Sequence, residues 1–117
     1  MSRDWLLYLD DLVASAEKIA RLIAGRDLDA LRADEAAFDA VLFNLQVIGE
    51  AVKQFPAERR ALLPQRHQAG PARLRDLIAH HYFAIDAEII WDVASNHVPG
   101  LLAAARQLQA EADPDGA

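Results

Sequence analysis

Two long stretches of the chain carry apolar residues at helical spacing, and this pattern constrains the fold more than any other feature. Between residues 4 and 24 apolar side chains recur every three or four positions, and Gly25 follows as a stop signal. A second stripe runs from about Asp34 to Phe55, with acidic residues at its start and Pro56 after its end. No β-alternation of useful length and no internal repeat is present. Each stripe therefore predicts a long amphipathic helix, and the two helices should pair antiparallel.

The rest of the chain predicts shorter helices separated by polar and proline-rich breaks. Residues 56–71 are rich in proline and arginine, and they predict a short helical turn followed by a loop. Pro71 is well placed to open a third helix through LRDLIAH, and a fourth covers about Ile85 to Ala94. The segment SNHVPG should then break the helix, with Asn96 as a candidate cap, before a last helix over Leu101 to Ala112. The predicted fold class is all-α: an up-and-down bundle of four main helices with one short extra helix.

The size and composition predict one independently folded domain. The chain has 117 residues, of which 53% are hydrophobic, and these values suit a single domain with a buried core. We expect residues 1–112 to form the domain and residues 113–117 to be a frayed tail. No apolar run approaches the roughly 20 residues of a membrane span, and the first residues are too acidic for a signal peptide. Together with the absence of cysteine, these features predict a cytoplasmic protein.

The charge distribution restricts where an anionic ligand could bind. A net charge of −6 excludes a broad polybasic surface. Residues 56–81 hold five basic and two acidic side chains, whereas the stretches on both sides are acidic. A local site for a nucleic-acid backbone is therefore expected only in this middle stretch.

The second long helix is apolar over more than one face, because Phe43 and Val47 lie off its main stripe. Such a helix is typical of a bundle centre or of a subunit interface, so we expect a homodimer. Trp5 and Trp91 lie on apolar stripes and are expected in the core or in an interface.

The four histidines show no spacing typical of a metal site. There is no Glu-x-x-His or His-x-x-x-His pattern, and adjacent histidines in a helix point about 100° apart. We therefore expect no metal ion and no bound cofactor. For His67 and His97, a solvated or capping role is the simplest interpretation.

One octapeptide groups residues suited to metal-free cleavage of RNA. Residues 75–82 read RDLIAHHY and place Arg75, His80 and Tyr82 in an R-x4-H-x-Y arrangement. Such cleavage uses a base for the 2′-hydroxyl, an acid for the leaving oxygen and a fixed cation for the phosphate charge. Along a straight helix Arg75 and His80 point roughly 140° apart, so a broken helix or a second chain would have to complete the site. Spacing alone leaves open a structural Arg–His–Tyr network at a helix end.

The same segment resembles the hallmark of a known family. LRDLIAHHYFAID followed by EIIWDV is similar to the R-x4-6-H signature of the HEPN superfamily, and specifically of its HepT-like branch. The resemblance extends through YLDDLVASAEKI, NLQVIGEAVKQF and VPGLLAAARQL, so it covers nearly the whole chain. It implies a homodimeric, metal-independent ribonuclease, the toxin of a type VII-like toxin-antitoxin pair. The implied partner is a minimal nucleotidyltransferase antitoxin that uses ATP to transfer AMP to the motif tyrosine.

Carried onto this sequence, the resemblance assigns roles to individual residues. Arg75 would be the cation that stabilises phosphate charge, His80 the catalytic imidazole, and Tyr82 the modified and substrate-contacting residue. Asp76 departs from the asparagine common in the family, and QAGPARL replaces the tryptophan and glycine often found before the motif. Asp76, His81 and Arg73 are candidate auxiliary residues.

Two other functions are compatible with the sequence. The chain could be a non-catalytic helical adaptor or substrate of the nucleotidyltransferase, or it could bind RNA without cleaving it. The sequence also leaves open the class of RNA target, the number of AMP units and the stoichiometry with the antitoxin.

Overall fold

The computed structural model describes residues 4–65, 67 and 86–112, and within these residues every regular element is helical. The prediction of an all-α helical bundle is confirmed. None of the helices in this part of the chain is both long enough and apolar enough to cross a bilayer. The helix predicted after Pro71 and the tail at 113–117 lie outside the described residues. The elements are α1 (Asp4–Ile23), α2 (Leu28–Ala33), α3 (Glu35–Gln54), α4 (Ala57–Arg60), α5 (Ala87–Asp92), a π-helical turn (Val93–His97) and α6 (Val98–Ala112).

The helices α1 and α3 are the two long rods that the apolar stripes predict, and they pack antiparallel. The ring of Trp5, at the start of α1, meets the ring of Phe55, just after α3, edge to face with 5.8 Å between centroids. Leu12 and Ile19 of α1 and Leu45 of α3 are fully buried. Burying one such side chain typically stabilises a fold by about 1.5–3 kcal/mol. The contact between these rods therefore supplies a large share of the core.

A short helix that the sequence pattern does not predict joins the two rods. Gly25 turns the chain after α1 with a φ of 72°, a conformation that glycine adopts without strain. Asp27 then caps α2 by accepting a hydrogen bond from the amide of Ala30 at 2.8 Å. Leu31 is fully buried, but six residues are too few to show a clear apolar period.

Asp34 links α2 to α3. Its amide donates to the carbonyl of Leu31 at 3.2 Å, and its carboxylate accepts from the amide of Ala37 at 3.1 Å. Nη1 of Arg26 forms an ion pair with the same carboxylate at 3.1 Å. The Ala37 amide, followed by the Arg26 guanidinium, lowers the pKa of Asp34 below its ordinary value, because both partners favour the charged form. One residue thus ends one helix and begins the next.

The last helical run contradicts the predicted break at SNHVPG. The carboxylate of Asp86 caps α5, and the chain then passes through the π-helical turn into α6 without interruption. Asn96 does not cap a helix, since its Nδ2 donates to Oδ1 of Asp92 at 2.8 Å within the run. In a regular α-helix the ring of Pro99 would clash with the carbonyl of Ser95, four residues earlier. The wider π turn at these positions accommodates the proline inside a continuous helix.

The helix α6 closes the bundle against α1. Leu101 is fully buried at this contact, and two polar pairs lie at its rim. Nη2 of Arg106 donates to Glu17 at 2.7 Å, and Nε2 of Gln109 donates to Asp10 at 3.0 Å. Later residues of α6 thus meet earlier residues of α1, so the two helices are antiparallel. The first helix packs against both α3 and α6.

Candidate functional site

The predicted catalytic and auxiliary residues all lie in one segment, and the structure describes the residues on both sides of it. His67 precedes this segment and Asp86 follows it. The described part of the site therefore consists of the two ends of the segment and the side chains around them. All six predicted residues fall between positions 68 and 85, outside the described residues: Arg73, Arg75, Asp76, His80, His81 and Tyr82.

Two histidines meet beside the start of this segment. Nδ1 of His67 lies 3.2 Å from Nδ1 of His97, although the two residues are 30 positions apart in the chain. Their ring centroids are 5.4 Å apart and their planes cross at 61°. The amide of His67 also donates to the carbonyl of Pro64 at 3.0 Å. The start of the segment is thereby tied to the π-helical turn.

His97 is held on its other side by an acidic residue of its own helical run. Its Nε2 lies 3.6 Å from Oδ2 of Asp92, whose second carboxylate oxygen accepts the Asn96 side chain. The side chain of His97 is 27% exposed, so these contacts are partly shielded from water. The π turn therefore presents an imidazole with a polar neighbour at each ring nitrogen, and such turns are frequent at functional sites.

Gly100 provides the space into which the ring of His67 packs. A Cβ atom at Gly100 would clash with the imidazole of His67. Glycine within a helix costs about 1 kcal/mol relative to alanine, so a glycine here needs a reason such as this close approach. The ring of His67 thus lies directly against the backbone of α6.

The histidine pair was not predicted from the sequence, which suggested separate solvated or capping roles. Local spacing cannot reveal the pair, because one ring lies just after α4 and the other lies in the π turn. Gly100, three residues after His97, is the signal in the sequence that indicates a close approach. Among the described residues, no three or more His, Asp or Glu side chains are arranged to hold a metal ion.

The helix α4 carries the described arginines of the basic stretch. The guanidinium carbon of Arg59 lies 4.9 Å from the centroid of the Trp5 ring, in a cation–π contact. Trp5 belongs to the core and Trp91 packs against it partly buried, as predicted for both tryptophans. Arg59 therefore covers the end of the α1–α3 contact.

A groove of about 350 Å³ opens along α1 and α3. Phe43 and Val47, the two residues predicted to lie off the apolar stripe, both line it, and Phe43 is 64% exposed. Asp11 and Glu50 give the groove an acidic character, and Glu50 accepts from Nε2 of Gln54 at 2.8 Å. An apolar and acidic lining suits a protein surface better than a phosphate backbone. Tyr8 of α1 and Ala51 of α3 also line the groove.

The described residues form a small all-α bundle, and the sequence contains an R-x4-H-x-Y motif. Fold and sequence together therefore define a small helical-bundle protein with this motif. A family model described as Ribonuclease HepT-like matches residues 12–108. The chain belongs to this family.

Three relatives illustrate the similarity. A candidate RNase of Methanocaldococcus jannaschii is 39% identical over 97 residues, which cover 83% of this chain and 80% of that protein. A protein named probable ribonuclease HepT, from Thermococcus cleftensis, is 30% identical over 101 residues, or 86% of this chain and 92% of its own. A candidate RNase of Caldanaerobacter subterraneus is 30% identical over 98 residues, covering 80% and 84% of the two chains. No solved structure matches the chain significantly.

Proposed function

We propose that the protein is a metal-independent endoribonuclease and the toxin of a toxin-antitoxin pair. Membership of the Ribonuclease HepT-like family carries this proposal, because the match at residues 12–108 spans the whole R-x4-H-x-Y segment. The relatives named as ribonucleases, which align with most of this chain, support a ribonuclease-type function. RNA is accordingly the proposed substrate.

The proposed reaction needs only groups that the segment contains. The imidazole of His80 takes the proton from a 2′-hydroxyl, whose oxygen then attacks the adjacent phosphorus. The bond from phosphorus to the 5′-oxygen breaks, and that oxygen takes a proton from the protonated imidazole of the second His80 in the proposed dimer. Arg75 stabilises the negative charge that develops on the phosphate oxygens. The products are a 2′,3′-cyclic phosphate and a 5′-hydroxyl, so water is not the nucleophile of the cleavage step.

The proposed active form is a homodimer. Arg75 and His80 are five residues apart, so one copy presents them on different sides of a straight helix, roughly 140° apart. Two copies around a two-fold axis would supply an acid and a base to one cleft. The exposed side chain of Phe43, which lines the groove along α1 and α3, supports a contact between copies through that groove.

The proposed control acts through Tyr82. A partner nucleotidyltransferase would transfer AMP from ATP to the phenol oxygen, with release of pyrophosphate. The added nucleotide carries a bulky base and a phosphodiester charge, so it would exclude RNA sterically and occupy Arg75 electrostatically. Both effects inhibit the enzyme.

Cleavage of RNA in the presence of EDTA tests the proposed activity. The wild-type protein should cut total RNA and leave 2′,3′-cyclic phosphate ends, whereas His80→Ala should lose about 10²–10⁴-fold in rate. If His81→Ala loses activity and His80→Ala does not, the catalytic imidazole is that of His81. If the pure wild-type protein leaves RNA intact, the ribonuclease proposal is wrong and a role as a helical adaptor is favoured.

A further inference from the structure

A chain of polar contacts runs along the π turn and includes His67. Asn96 donates to Asp92 at 2.8 Å, and Asp92 faces Nε2 of His97 at 3.6 Å. Nδ1 of His97 in turn meets Nδ1 of His67 at 3.2 Å. None of these four residues belongs to the predicted catalytic set, so the proposed reaction does not account for them.

In the contact between Nδ1 of His97 and Nδ1 of His67 one nitrogen donates and the other accepts, and the tautomers of the two rings decide which is the donor. The centroids are 5.4 Å apart for a nitrogen separation of 3.2 Å, so the two nitrogens point towards each other. The geometry is that of a directed N–H···N hydrogen bond.

The hydrogen bond acts on the segment that carries the candidate chemistry. Residues 68–85 lie between His67 and Asp86, and Asp86 is the N-cap of α5. His97 lies 11 residues after Asp86 in one continuous helical run, which corresponds to roughly 16 Å of helix. The residues on the two sides of the segment, His67 and Asp86, are therefore both linked to the same helical run.

We propose that His67 and His97 are positioning residues, because their contact anchors the chain immediately before the R-x4-H-x-Y segment. This inference rests on the proposed ribonuclease function. His67 anchors the segment through Nδ1, and Gly100 permits the anchor by leaving room for the ring. A displacement of catalytic groups by about 1 Å can reduce turnover by about 100-fold, so an anchor close to the motif has a measurable effect on kcat.

The close approach at Gly100 gives a specific test. Gly100→Ala adds one methyl group that clashes with the ring of His67, so it should lower both the urea midpoint and kcat. In a His67→Ala background the ring is gone, and alanine is the better helix former. There Gly100→Ala should raise the urea midpoint. This reversal of sign is the non-additivity expected when the residues at positions 67 and 100 are in direct contact.

A conservative variant separates positioning from simple packing. The side-chain amide of asparagine lies near the place of Nδ1 and can donate or accept, so His67→Asn should still form a hydrogen bond with His97. We expect His67→Ala to reduce kcat for a model RNA by about tenfold or more, with a smaller change in KM. His67→Asn should restore most of this loss. Ala103→Ser, at an exposed position of the same helix, is the matched control and should behave as the wild type.

The two proposals fail in different ways. If the wild type cuts RNA and fully folded His67→Ala has the wild-type kcat, the positioning role is wrong and the ribonuclease function stands. If the wild type cuts no RNA, the ribonuclease function and the catalytic part of this inference are both overturned. The sign of the Gly100→Ala effect in the two backgrounds then still decides whether the His67 anchor exists.

Discussion

Asp34 stabilises the fold through its negative charge, since the amide of Ala37 and the guanidinium of Arg26 both favour the ionised carboxylate. Its folded-state pKa therefore lies below the ordinary value of 3.8. A carboxyl group with a lowered folded pKa contributes stability at pH values above its unfolded pKa. That contribution is lost as the pH falls through the folded pKa.

Asp34→Ala should therefore destabilise the protein in a pH-dependent manner. We expect a lower urea midpoint than wild type at pH 7, and a difference that shrinks as the pH falls below about 3.8. Circular dichroism during urea unfolding at several pH values measures this difference. Asp39→Ala removes an exposed carboxylate from the same helix, α3, and is the control. A difference of equal size at neutral and at strongly acidic pH would show that the charge is not the cause.

Tyr82→Phe tests the proposed inhibition by AMP transfer, because it removes only the phenol oxygen that would accept the AMP. The phenylalanine ring keeps the size of the side chain but lacks the nucleophile for AMP transfer. Intact mass spectrometry after incubation with the nucleotidyltransferase and ATP should show one or more adenylate increments on the wild type and none on the variant. Equal labelling of both proteins would assign the modification to another residue.

At the scale of elements, α1 has a central place in the described bundle, because it packs against both α3 and α6. Leu12→Ala removes a side chain with no exposed surface and should destabilise the protein by about 2–5 kcal/mol. Leu7→Ala lies on the same helix but at 65% exposure, so its effect should stay within about 0.5 kcal/mol. Urea unfolding of both variants at one low protein concentration provides the comparison. Similar losses for the two variants would contradict the described orientation of α1.

The long helices could be predicted from the sequence, whereas their connections could not. Twenty-residue stripes in α1 and α3 repeat the apolar period often enough to define both the helix and its buried face. The six residues of α2 do not. The predicted break near Pro99 was wrong because proline is a strong breaker only of a regular α-helix, and the π turn changes the hydrogen-bond register there.

One part of the candidate site could likewise be predicted from the sequence, and another part could not. The R-x4-H-x-Y motif is contiguous and can be recognised in the sequence, although its residues lie outside the described part of the chain. The pairing of His67 with His97 depends on tertiary packing across 30 residues. Neither residue has a local pattern that indicates the other, so only the folded chain brings them together.

At the scale of the whole molecule, the groove between α1 and α3 predicts the oligomeric state. Light scattering at micromolar concentration should give a mass near twice 12.9 kDa. Phe43→Glu places a charge on the exposed apolar side chain of the groove and should shift the protein to the monomer. Leu62→Glu alters a similarly exposed leucine that does not line the groove, and it should leave the dimer intact. A wild-type mass near 12.9 kDa would remove the argument for a site shared by two copies.

The packing of α6 against α1 has a consequence for biosynthesis. Arg106 pairs with Glu17 and Gln109 with Asp10, contacts that join the last described helix to the first. During translation α1 and α3 leave the ribosome well before α6, so the nascent hairpin waits with one apolar face uncovered. His97 is also made after residues 68–85, the segment that follows its contact partner His67. The segment with the candidate catalytic residues therefore gains its anchor only after its own synthesis is complete, and a ribosome stalled before residue 97 would release a chain without it.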